Sequence, residues 1–223
     1  MTWRFYIISK LNVIRDIVNL CETASATMED SMTFKIGVVS WCCTTNFALK
    51  SNSIISWPRQ SKEYLKVRGG ELIFKRGRRV KMNICLDFKS LYPSIMRFMN
   101  ISPENIIILR EIHPSVAIQG ELAVDWEYRA DSNGVDKSCN ISRSSGAENI
   151  ISITFPGNRQ GIIPLFCKYL IDQRQEAKDN RMEERASSLK IISNSVYGSL
   201  CFPFYPSYSP FCASAVTGCG RWA

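Results

Sequence analysis

The sequence predicts an α+β fold, because strand-like segments come early in the chain and two helical segments come late. Short apolar runs at residues 72–74, 82–86 and 150–155 predict short strands. Residues 161–198 contain two consecutive stretches with helical spacing, and a segment rich in aromatic residues follows them. Strands in one part of the chain and helices in another are typical of the α+β class.

The other stretches are less regular. Apolar residues at helical spacing predict an amphipathic helix within residues 6–20, whereas residues 31–66 show no clear period. Residues 131–149 are polar and rich in turn formers, which predicts a surface loop. The helix that begins at Gly161 tolerates Pro164 in its first turn, and Gly198 is predicted to cap the end of the second helix.

Composition narrows the class of protein. The 223 residues carry a net charge of +8, which favours a polyanionic partner such as nucleic acid. One histidine and nine cysteines without a CxxC pair argue against a zinc site, and we expect reduced thiols inside a cell. No apolar run has the length of a membrane span, so the sequence predicts a soluble intracellular protein with no membrane partner.

Asp87 is the first candidate for a site. It ends the apolar run 82–86, and the following residues lead into a predicted helix. A carboxylate at a strand end can hold Mg²⁺, while N–H groups of the turn and the helix receive phosphate oxygens. From the residues alone, an aspartate that merely caps a turn is the alternative.

The late helices supply basic side chains on defined faces. Arg174 and Lys178 lie at i and i+4 of the first helix, where both can contact one anion. In the second helix, Lys190, Asn194 and Tyr197 share a polar face. The opposite face is apolar and predicts core positions at Leu189, Ile192 and Val196.

Four segments resemble family B DNA polymerases. D-F-K-S-L-Y-P-S-I at 87–95 resembles motif A of that family, and K-I-I-S-N-S-V-Y-G at 190–198 resembles motif B. Residues 161–178 are similar to the first fingers helix, and residues 211–221 to the palm helix after the fingers. The resemblance implies a partial palm, with an antiparallel sheet and helices, plus a short two-helix fingers hairpin.

The implied activity is DNA-directed DNA polymerase. Template-directed transfer of dNMP from a dNTP to a primer 3′-OH would use two Mg²⁺ ions, with primer–template DNA and dNTPs as partners. By resemblance, Asp87 is the catalytic residue that binds both metals, and Phe88 adds its carbonyl. Tyr92 would exclude a 2′-hydroxyl from the bound nucleotide.

The remaining implied roles concern binding. The residues expected to contact the nucleotide are Ser90, Leu91, Tyr92, Arg174, Lys178, Lys190 and Asn194. V-R-G-G at 67–70 resembles the template-binding Y-x-G-G/A motif, with Val67 in place of its tyrosine. The residues expected to contact template or primer are Gly69, Gly70, Tyr197 and Gly198.

The resemblance also implies a division of the chain. Residues 1–66 would be a remnant of the exonuclease–palm junction, and 67–160 the palm part with motif A and the loop 131–149. Residues 161–198 would be the fingers, and 199–223 a return to the palm.

One element of the family is absent from the sequence. No Asp-x-Asp of motif C occurs, so we expect an incomplete catalytic region that is inactive alone, or one completed by a separate chain. A non-catalytic remnant that binds nucleic acid is the alternative. The nucleus and a virus-infected host cell both remain open as locations.

Overall fold

A computed structural model describes residues 13–29, 36–55, 67, 69–70, 84, 87–108, 122–125, 137–143, 151–155 and 159–222. These residues form six α-helices, and a short 3₁₀ turn at Pro103–Asn105 follows the third. The helices are α1 (Val13–Ala24), α2 (Ile36–Lys50), α3 (Leu91–Phe98), α4 (Ile162–Asp179), α5 (Glu183–Cys201) and α6 (Pro210–Trp222).

Four short strands form one antiparallel sheet with the order β1-β4-β3-β2. They are β1 (Ile107–Ile108), β2 (Leu122–Asp125), β3 (Lys137–Arg143) and β4 (Ile151–Phe155). Strand β3 lies inside residues 131–149, so the prediction of a loop throughout that stretch is wrong. Backbone pairing with β2 and β4 on both sides stabilises β3, and local composition does not reveal such partners.

The predicted α+β class, with an antiparallel palm sheet as its framework, is also wrong, because the described residues are mainly helical. The cluster of buried apolar side chains comes mainly from the helices. Met99 and Ile101, just after α3, also belong to it, and Phe155 is its strand residue. The strands predicted at 72–74 and 82–86 lie outside the described residues. Helix α6 coincides with the helix that the resemblance implied at 211–221. Helix α2 was not predicted, because it is rich in Ser, Thr, Ala and Cys and shows no single apolar stripe.

The core joins α1 and α2 to α4 and α5, which are distant from them in sequence. Helices α4 and α5 pack side by side, connected by the turn 180–182, and α1 and α2 pack on them. The Phe47 ring centroid lies 5.4 Å from that of Phe166 and 5.3 Å from that of Tyr169, which ties α2 to α4. The residues of α1, α2 and α5 that share this core are Leu20, Ala24, Val39, Cys43, Ala186, Leu189, Ile192, Val196 and Leu200.

Cys43 and Cys167 are buried cysteines that pack as small apolar side chains. Burial raises the pKa of the Cys43 thiol to about 12, and it raises the pKa of Cys167 to about 12 as well. Both thiols therefore stay protonated at neutral pH and add apolar surface to the core.

Two predictions about helix ends have different outcomes. Helix α4 begins at Ile162 with Pro164 in its first turn, as predicted. Helix α5 continues through Gly198 to Cys201, so Gly198 is not its cap. The helix ends instead where Phe202 adopts an extended backbone before Pro203, a residue that cannot continue a helix.

The two neighbouring isoleucines of α5 allow a matched test of the core. Ile192 is fully buried, whereas Ile191 is 42% exposed. We expect Ile192→Ala to lower the free energy of unfolding by about 2–5 kcal/mol, because it leaves a cavity. Ile191→Ala should change it by less than about 0.5 kcal/mol. Urea denaturation of both variants measures the difference, and equal effects would contradict the packing of α5.

Among the helices that the structure describes, none is both long and apolar enough to cross a lipid bilayer.

Candidate active site

The site centres on the turn of residues 87–90, which leads into α3. Asp87, Phe88 and Lys89 are exposed. Ser90 is the N-cap of α3 and has a left-handed backbone, with φ 55° and ψ 54°. The turn is braced from within the helix, since Ser94 donates its N–H to the Ser90 carbonyl at 2.9 Å and its hydroxyl to the Lys89 carbonyl at 3.2 Å. A left-handed serine costs about 1 kcal/mol, and such conformations concentrate at functional sites.

The Asp87 carboxylate is available as a metal ligand. It is exposed, and within the described part of the chain it has no hydrogen bond or ion pair. No group of three or more His, Cys, Asp and Glu side chains that could hold a metal occurs among the described residues. Mg²⁺ can be bound through one or two carboxylates together with substrate phosphates, so a lone exposed carboxylate fits such an ion.

Helix α4 brings a cationic side chain to this turn. Arg174 donates from Nη1 to Ser90 Oγ at 3.2 Å, and its Nε is buried without a partner among the described residues. One position further, Gln175 accepts a hydrogen bond from Lys89 Nζ at 2.9 Å. Lys178 lies one helical turn beyond Arg174 and is exposed. The structure therefore brings Ser90 and Arg174 into contact, and Lys178 follows one helical turn further along α4.

Tyr92 and Tyr197 form an aromatic pair next to the turn. Their ring centroids are 4.5 Å apart and the rings are inclined by 43°, within the range of favourable aromatic contacts. A side chain at Gly70 would lie 3.7 Å from the Tyr92 hydroxyl, so Gly70 borders the same ring. Burial raises the pKa of Tyr197, and its hydrogen bond with Cys201 raises that pKa further. Tyr197 is therefore a neutral phenol at physiological pH.

The Gly-Gly segment is attached to α6. Arg221 donates from Nη1 to the Gly69 carbonyl at 2.8 Å, and a side chain at Gly220 would lie 3.5 Å from Tyr92 Cε1. Sequence reasoning missed Arg221 as part of the site. The two residues of this hydrogen bond are 152 positions apart, and no local sequence pattern predicts such a contact.

Lys190 and Asn194 lie on the exposed side of α5, while Leu189, Ile192 and Val196 are buried. The predicted apolar face of α5 is therefore confirmed, whereas Tyr197, which was predicted on the polar face with Lys190 and Asn194, is half-buried against Tyr92. Within the described ranges, no hydrogen bond joins Lys190 or Asn194 to residues 87–92. Gly198 is half-buried on the same helix.

Comparison with known proteins identifies the family. The sequence pattern of DNA polymerase family B matches residues 42–223. The DNA polymerase of Fowlpox virus is 26% identical over 181 residues, which cover 72% of this chain and 18% of the relative. The DNA polymerase of Paramecium bursaria Chlorella virus NY2A is 24% identical over 239 residues, 96% of this chain and 23% of the relative.

A solved structure shares the fold. The family B DNA polymerase from the archaeon Pyrobaculum calidifontis superposes with a TM-score of 0.61 at 19% identity. The superposition covers 97% of this chain and 26% of the archaeal protein. The chain thus spans about a quarter or less of these relatives. Because the family pattern covers most of its residues, the chain belongs to DNA polymerase family B.

Proposed function

We propose that this chain is the nucleotide-binding and metal-binding part of a DNA-directed DNA polymerase. Such an enzyme transfers dNMP from a dNTP to a primer 3′-OH under the direction of a template. The observation that carries the proposal is the hydrogen bond from Arg174 to Ser90, which holds a cation beside the turn that begins with Asp87.

The triphosphate would bind between this turn and α4. The first N–H groups of α3 lack partners within the helix, and anions bind well at such termini. In our proposal the main chain at Ser90 and Leu91 contacts the triphosphate, and Arg174 and Lys178 neutralise its outer phosphates. The unpartnered Arg174 Nε supports this role, because a guanidinium can bind phosphate in a bidentate manner. Lys190 and Asn194 would complete the nucleotide site from α5.

The metal ligands would be the Asp87 carboxylate and the Phe88 carbonyl. Mg²⁺ ions held there would supply activation of the primer hydroxyl and charge compensation on the leaving pyrophosphate. Asp87 would orient the reacting groups, and the α4 cations would align the phosphates for in-line attack. The sequence contains no Asp-x-Asp, so the second metal-binding carboxylate would come from residues outside it.

Primer and template would pass along the Gly69–Gly70 segment and the Tyr197–Gly198 end of α5. The exposed glycines allow close approach of a nucleic-acid backbone, and the net charge of +8 suits a polyanion. The division into a palm part at 67–160, fingers at 161–198 and a return at 199–223 stays part of this proposal.

Charge removal on α4 tests the nucleotide site. We expect Arg174→Ala and Lys178→Ala each to weaken dNTP binding by roughly 1.5–3 kcal/mol, about 10- to 100-fold, because each loses a charge-assisted hydrogen bond. Calorimetric titration of the chain with dATP and Mg²⁺ measures the dissociation constants. Lys168→Ala is the matched control, since Lys168 is an exposed lysine on another face of α4. If all three variants bind as the wild type does, Arg174 and Lys178 are solvated charges.

A second function is favoured by the missing Asp-x-Asp: a non-catalytic remnant that binds DNA and nucleotide. Primer extension distinguishes the two functions. Incorporation of labelled dNMP by a polymerase that contains this chain supports the enzyme, while salt-sensitive DNA binding without incorporation supports the remnant.

A further inference from the structure

The first turn of α4 is capped by a distant segment, residues 100–105, which we call the clamp segment. The N-cap position is Gly161, which has no side chain to cap with. Three successive backbone N–H groups instead donate to side chains of the clamp segment. They are Gly161 N to Asn100 Oδ1 at 2.9 Å, Ile162 N to Glu104 Oε1 at 2.6 Å and Ile163 N to Ser102 Oγ at 3.3 Å.

The clamp segment is itself fixed. Ser102 Oγ donates to Glu104 Oε2 at 2.7 Å, and the side-chain amides of Asn100 and Asn105 both donate to the Arg159 carbonyl, at 2.9 Å and 3.1 Å. Ser102 is fully buried and Asn105 is 4% exposed. A Cβ at Gly161 would lie 2.5 Å from Ser102 Cβ, so no serine or aspartate fits at the N-cap. The helix can be capped there only from the clamp segment.

Helices α3 and α4 are thereby joined at two places. Helix α3 begins at Ser90 and ends just before the clamp segment, whereas α4 begins at the clamp segment and returns to Ser90 through Arg174. The path along α4 from its first turn to Arg174 is about 18 Å. A tilt of about 5° at the clamp segment would therefore move the guanidinium by about 1.5 Å. Misplacement by about 1 Å can cost roughly 100-fold in rate.

We propose that Glu104 and Ser102 are positioning residues, which set the angle of α4 and so hold Arg174 and Lys178 at the triphosphate. This inference rests on the proposed nucleotide site. Glu104 contacts α4 through the backbone N–H group of Ile162, twelve residues before Arg174, so it acts through the helix. Its negative charge at the N-terminus of α4 also interacts favourably with the helix dipole and so stabilises the helix.

A double-mutant cycle on the full chain tests the inference. We expect Glu104→Ala to weaken dATP–Mg²⁺ binding by about 10-fold, because the α4 cations lose their alignment. In an Arg174→Ala background the same change should weaken binding by clearly less than about 10-fold, because Arg174 is already removed and only Lys178 remains to be misaligned. Glu104→Gln keeps an oxygen acceptor for Ile162 N and should restore binding to within about 3-fold of wild type. The control is Glu183→Ala, which removes an exposed glutamate from the first turn of α5.

The outcomes are distinct. If the increases in the dATP dissociation constant caused by Glu104→Ala and Arg174→Ala simply multiply in the double variant, the inference is overturned. Glu104 is then an ordinary helix cap. If the wild-type chain binds no dATP, the proposed function is contradicted, and this inference is contradicted with it. If Glu104→Ala does not fold, the cycle of Ser102→Ala with Arg174→Ala decides the question by the same criterion.

Discussion

Asp87→Asn is expected to abolish dNTP incorporation while leaving the fold intact. Asparagine retains the size of the side chain but loses the negative charge and one oxygen ligand, so bound Mg²⁺ would lose its protein carboxylate. Asp87 is exposed and makes no ion pair within the described residues, so its loss should not destabilise the protein. The assay requires a polymerase that contains this chain together with a second metal-binding carboxylate. Single-turnover incorporation should fall below about 1% of wild type.

A matched variant separates metal binding from general charge effects. Asp172 is an exposed aspartate on α4, and Asp172→Asn changes the net charge by the same amount. Normal incorporation by Asp172→Asn, with none by Asp87→Asn, is the expected pair of results. An Asp87→Asn enzyme that keeps more than a few per cent of activity would show that Asp87 is not a metal ligand.

Tyr92→Ala is expected to raise the efficiency of rNTP use relative to dNTP use by at least about 100-fold, the scale on which sites reject an added hydroxyl. The half-buried ring is held by Tyr197, with Gly70 and Gly220 beside it, so it forms a wall that cannot easily move. A rigid wall excludes a 2′-hydroxyl by steric clash. The ratio of kcat/KM for matched rNTP and dNTP pairs measures the effect, and dNTP use should fall much less.

Tyr92→Phe is the control for this interpretation. It retains the ring and removes the hydroxyl, so the selectivity ratio should stay near that of the wild type. If Tyr92→Ala lowers the melting temperature and leaves the ratio unchanged, Tyr92 is a packing residue and another group selects the sugar.

Local periodicity predicted those features of the fold that depend on residues within one helix. The buried face of α5 and the start of α4 with Pro164 in its first turn follow from spacing and from proline geometry. Helix α2 was not predicted, because Trp41, Thr44 and Asn46 interrupt any single apolar stripe. The α+β class was wrong because helices rich in small residues give a weak signal. Among the described residues, the apolar run predicted as a strand at 150–155 is β4, so that prediction is confirmed.

The candidate site was predicted where motifs are contiguous and missed where distant segments meet. Asp87, Ser90 and Tyr92 lie in one motif, and resemblance alone placed Arg174 beside them. The hydrogen bonds from Arg221 to Gly69 and from Ile162 to Glu104 join positions 152 and 58 residues apart. Side chains of these types are common on solvated surfaces, so their sequence context carries no signal of the contact.

The shared core of α1, α2, α4 and α5 has a consequence for biosynthesis. Leu20, Ala24 and Val39 emerge from the ribosome well before the α5 residues that cover them, such as Ile192, which lies more than 150 residues further along the chain. At roughly 5–20 residues per second, about 10–30 s separate these events. During that interval the apolar faces of α1 and α2 have no native partner, which invites aggregation. A nascent chain of this protein should therefore need chaperone protection until α5 has left the exit tunnel.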